Sequence, residues 1–157
     1  MNGTGSKELL KSFLNAAIAT TGMTVVSFIV NGSLKKNLLV PEVFSEVLKA
    51  DLPIPVKKHS RIVGWLGHYL LGVSWAMLID LVYKNTSIKP KVKSGLIIGT
   101  FSGLCGIWAW KQIFKSRPVP KDTDTEIFYK QLFIAHILYI LLFAALTPTE
   151  KSKLKFK

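Results

Sequence analysis

Two histidines set inside long apolar runs, His68 and His136, are the residues of this chain with the most chemical scope. His68 belongs to GWLGHYLLGVSWAMLID, which runs from Gly64 to Asp80. His136 lies in a second such run and the single cysteine, Cys105, in a third. An ionisable group in that setting has three uses. It hydrogen-bonds across helices and holds a bundle together. It serves a proton-linked or ligand-linked site. As a bis-histidine pair, the two rings ligate one b-type haem. His68, His136 and Cys105 therefore form the candidate intramembrane polar site. One cysteine makes no intramolecular disulfide, and the absence of a CxxC or Cys/His spacing gives no reason to expect a metal. Taken alone, Cys105 reads as a small core residue.

Asp80 closes the same run but lies about 18 Å from His68 along a helix, too far to pair with it. Lys84 follows four residues later, in the favourable acid-before-base order, so Asp80 and Lys84 read as a boundary ion pair. Asn15, at a comparable depth, is the alternative partner of Asp80 inside the bundle. Glu126 and Lys130 repeat the spacing on another helix. No nucleophile–base pair, phosphate-binding glycine loop or paired-carboxylate arrangement is present, which favours a non-enzymatic protein. Asp122, Asp124 and Glu126 lack the glycine and terminal glutamate of a calcium loop and read as helix-capping acids.

The elements that position these groups follow from composition. The 157 residues are 49% hydrophobic and only 19% charged, with a mean hydropathy of +0.34. The apolar residues fall in blocks and the lysines in the gaps, which is the pattern of a multi-span membrane protein. The net charge of +12 thus faces lipid phosphates, and nucleic acid is not the expected partner. Four blocks are long enough to cross a bilayer: 12–30, 62–83, 95–114 and 127–146. Backbone groups find no water in hydrocarbon, so each block must be helical. The expected fold is all-α, a single membrane domain over 1–157 built as a four-helix bundle. Lys7 and Lys11 precede the first block as in a signal peptide, but no small-x-small site closes it, so an uncleaved first helix is expected.

The first loop contains LVPEVFSEVLKA, with Pro41 at a helix start and Glu42 at its positive end. Val43, Phe44, Val47 and Leu48 recur at helical spacing, which predicts a short amphipathic interfacial helix over 41–50, stopped by LPIP. Trp65, Tyr83, Trp108, Trp110 and Tyr129 sit near block edges, where amphipathic rings are stable. Trp75 is mid-block and needs a partner for its N–H.

Glycines specify close packing. Gly95, Gly99 and Gly103 form a groove on the third block. Gly64, His68, Gly72, Ala76 and Asp80 form a drifting ridge on the second, suited to crossing the third. Depth along each helix puts His68 about 10 Å and His136 about 13–15 Å from the same side. Thr24, Ser27, Cys105 and Trp108 fall in that layer. Ten basic residues lie in the loops on each side of the membrane, so the positive-inside rule does not orient the chain. The loop acids, other than Glu8 and Glu150, favour both termini in the cytoplasm.

Three features resemble the YagU-like family of small bacterial inner-membrane proteins. They are W-x-x-H within a span (Trp65, His68), a short basic loop leading into SGLIIG (Ser94 to Gly99), and Glu126 ten residues before His136 in the last span. The resemblance covers about the last 95 residues; this chain departs from it in a shorter first loop and in having no histidine in the third span. It implies a bacterial, multi-pass protein of the cell inner membrane and supplies no activity. The bilayer is the expected partner, together with a second copy or a larger membrane protein.

Overall fold

The computed structural model describes residues 3–49 and 57–147, with side chains from residue 6 onward. The described residues form five α-helices and no strand: α1 (Gly3–Leu34), α2 (Val40–Leu48), α3 (Ser60–Asn85), α4 (Val92–Ser116) and α5 (Thr125–Leu146). All but α2 are long and apolar enough to cross a membrane. The protein is a multi-pass, all-helical membrane bundle. Each long helix outruns its apolar block by two or more residues at one or both ends, because polar flanks continue the helix beyond the hydrocarbon-sized stretch. α1 extends furthest: its 32 residues rise about 48 Å against a hydrocarbon core of about 30 Å. Ala50, the LPIP stop and the basic tail lie outside the described residues.

Helix ends are set locally. Asp124 caps α5 by accepting from Ile127 N at 3.1 Å. Pro41 sits in the first turn of α2, where its missing N–H costs nothing. Lys130 and Glu126 pair on the exposed side of α5.

The helices pack in the order α4–α5–α1–α3, with α2 laid against α3. α5 is the most enclosed of the spans. The glycine groove of α4 receives α5: a Cβ at Gly99 would stand 2.8 Å from Ile137 Cα, and one at Gly95 3.0 Å from the Leu141 side chain. At Gly103 it would meet the Phe133 ring at 2.7 Å. Only glycine admits backbones this close.

The ridge of α3 has different partners from the one its spacing suggests. Gly64 packs under α2, against the Pro41 carbonyl and Ser45, and Gly72 packs against Thr20 of α1. α3 and α4 do not form a packed pair. A ridge of small residues accepts any close neighbour, and here α1 and the short α2 take that face. Where α3 and α4 diverge, a hydrogen bond spans them, from the Trp75 indole N–H to Ser102 Oγ at 2.9 Å.

α2 buries Pro41, Val43, Ser45 and Val47. Its apolar side is covered largely by protein: Val43 and Val47 join Leu38, Trp110, Phe128 and Leu132 in one core cluster. Glu42 ties α2 to α3, accepting from Trp65 Nε1 at 3.0 Å and from Arg61 Nε at 2.8 Å. Trp110, placed at a block edge by its position, is in fact core, with ring neighbours Phe44, Phe114 and Phe128.

Candidate functional site

The gap between α3 and α4 is a cavity of about 470 Å³. All five helices contribute to its wall. α1 supplies Met23, Thr24 and Ser27, and α3 supplies His68, Leu71, Gly72 and Trp75. α4 brings Ser102, Cys105, Gly106 and Trp108; α5 brings Leu132, Ala135, His136 and Tyr139. Pro41 and Phe44 of α2 cover one end. His68, Cys105 and His136 therefore face a common space, together with Thr24, Ser27 and Trp108. They fall together because each lies at a similar depth on its own helix.

Each imidazole is held by one hydrogen bond, and the partner's chemistry fixes the tautomer. The Thr24 hydroxyl lies 2.7 Å from the Thr20 carbonyl, which can only accept, so its hydrogen points there. Thr24 Oγ1 is also 3.0 Å from His68 Nε2 and must accept from it. A neutral His68 thus carries its proton on Nε2 and keeps an acceptor at Nδ1. His136 is the reverse. Its Nδ1 is 2.8 Å from the Leu132 carbonyl and donates to it, leaving Nε2 as the acceptor. The His136 ring lies against Gly106, where an added Cβ would meet it at 3.0 Å. A larger residue at 106 would displace the ring.

The remaining polar groups of the wall hold the helices. Tyr139 Oη donates to the Gly72 carbonyl at 2.5 Å, joining α5 to α3. Ser102 accepts from Trp75. The rest of the wall is mostly apolar, apart from Ser27, Cys105, Trp108 and Trp110. The described residues contain no group of three or more His, Cys, Asp or Glu side chains placed to hold a metal. Cys105 is a free, half-buried thiol.

Asp80 lies outside this cavity, at the other end of α3. Lys84 Nζ is 2.6 Å from its Oδ2, and Ser12 Oγ donates to the same oxygen at 2.9 Å. Asn15 does not reach Asp80; its amide donates to the Leu146 carbonyl at 2.9 Å. The Asp80 carboxylate thus fastens α1 to α3.

Neither depth nor helical spacing singles out Tyr139 or Gln131. Tyr139 sits among leucines and isoleucines, and a tyrosine mid-span was its only signal. Gln131 is 7% exposed, and neither its amide oxygen nor its nitrogen has a hydrogen-bond partner among the described residues.

Comparison of the chain with protein-family models, with curated proteins and with solved structures finds no match.

Proposed function

We propose that this is a non-enzymatic membrane protein that holds a small, mostly apolar molecule in the cavity between α3 and α4. The observation that carries this reading is the cavity itself: about 470 Å³, of the size that encloses a small ligand, apolar over most of its wall and with a few polar groups gathered on it. In lipid, apolar helix faces gain little by meeting one another, so two spans that stand apart leave space for a guest. We also place the protein in the inner membrane of a bacterial cell, with both termini in the cytoplasm. The likeness to YagU-like proteins at Trp65, His68 and Ser94–Gly99 and the distribution of loop acids support that placement.

Cys105 is the only cysteine of the chain and lines the cavity, so it reports occupancy directly. Alkylation of the purified protein by N-ethylmaleimide is measured with and without heptylbenzene, 4-heptylanisole or 4-heptylphenol. A bound guest at 100 times its Kd slows labelling by about 100-fold. Labelling rates unchanged by all three molecules refute the proposal. A Soret band in the purified protein, lost in His68→Ala, would replace it with haem ligation.

A further inference from the structure

We infer that the guest carries a hydroxyl group and enters sideways from the lipid, between α3 and α4. This rests on the ligand-binding reading above and names its chemistry. Three of the polar positions on the wall are open to a guest. His68, only 7% exposed, has used Nε2 on Thr24 and retains a lone pair on Nδ1. His136 has used Nδ1 on Leu132 and retains a lone pair on Nε2. Ser27, 6% exposed, lines the same cavity, and its hydroxyl can both donate and accept there.

Polar groups on the wall of a largely apolar cavity are stabilised by a partner that enters it. Two acceptors and one hydroxyl are met by a group that both donates and accepts. An alcohol or phenol does this; an ether accepts from Ser27 but offers the imidazoles nothing. A carboxylate would set a negative charge against two acceptor lone pairs. The apolar remainder of the wall, including Met23, Leu71 and Phe44, suits a hydrocarbon body behind that hydroxyl.

The route follows from exposure along the wall. Leu71 of α3 and Trp108 of α4 both line the cavity, yet they are 65% and 67% exposed. They stand at its mouth, on the two helices that do not pack together. The opening therefore faces the surface that the spans turn toward lipid. Behind it the Trp75 indole N–H donates to Ser102 Oγ across the gap between α3 and α4.

The test compares two guests that differ by one hydrogen-bond donor. In protection of Cys105, 4-heptylphenol should bind about tenfold more tightly than 4-heptylanisole, the worth of one buried hydrogen bond with its acceptor otherwise unmet. The ratio should fall towards one in His68→Phe with His136→Phe, and the comparison in the unaltered protein stands even if that variant fails to fold. Equal protection by phenol and ether overturns the hydroxyl inference and leaves the cavity as a binding site. Protection by neither overturns both. For the route, Leu71→Trp should slow the onset of phenol protection severalfold with the final protection unchanged; an unaltered onset overturns lateral entry.

Discussion

Replacing Gly64 by alanine adds one methyl group at the point where α2 crosses α3. The new Cβ would overlap the Pro41 carbonyl oxygen and stand 2.8 Å from Ser45 Cβ, where ordinary contact begins near 3.4 Å. Both neighbours belong to the backbone or its first carbon, so neither can swing aside. α2 must retreat by at least about 0.6 Å, the difference between those distances. That movement stretches the 3.0 Å bond from Trp65 to Glu42 beyond hydrogen-bonding range. Overpacking of this kind costs about 1–3 kcal/mol, and the lost bond adds about 1 kcal/mol. Alanine returns up to about 1 kcal/mol through its helix propensity, so the net loss is about 1–4 kcal/mol. For a chain of this size each kcal/mol is about 2–4 °C of Tm. The assay is thermal unfolding in detergent, read together with the rate of Cys105 alkylation, because Pro41 and Phe44 cover the cavity that Cys105 lines. Gly64→Ala should lower Tm by several degrees and speed labelling. Gly67→Ala is the control for the loss of Tm alone, since its Cβ meets only the Phe44 ring edge, at 2.9 Å, which can turn away. A Gly64→Ala protein as stable as its parent, labelled at the same rate, would refute the packing of α2 on α3.

Tyr139→Phe removes the hydroxyl that reaches the Gly72 carbonyl and should cost about 0.6–1.7 kcal/mol, the range for hydrogen bonds between membrane helices, measured by unfolding in mixed micelles. Gln131→Leu should stabilise the protein by about 1–3 kcal/mol in the same assay, because a buried amide with neither atom paired is replaced by hydrocarbon. Gly99→Ala should lower Tm more than Gly95→Ala: the first pushes on Ile137 Cα, the second on the end of the Leu141 side chain.

The four spans were legible because apolar blocks of about 20 residues separated by lysine-bearing gaps have one stable form in lipid. The layer of the site was legible for a related reason. A fixed rise per residue turns sequence position into depth, and so placed Thr24, Ser27, His68, Cys105 and His136 at one level. What depth does not carry is rotation about the helix axis and choice of neighbour. Gly64 and Gly72 lie on a ridge fit for any close partner, and the partners are Ser45 and Thr20 rather than α4. The cavity arises from that choice, since α3, occupied by α1 and α2, stands away from α4. Two further contacts had no sequence signal. Ser12 reaches Asp80 across 68 positions, and Glu42, fit by position to sit at a helix start, also binds Trp65 and Arg61 of the next helix.

The space walled by His68, Cys105 and His136 is proposed to receive a guest from the lipid. Anomalous X-ray diffraction from crystals soaked in 4-iodophenol tests it most directly, because iodine marks its own position. An iodine peak is expected between α3 and α4, in contact with the wall near Trp75 and Cys105. Iodine found only on outer apolar surfaces, such as the one carrying Leu66 and Leu70, would contradict it.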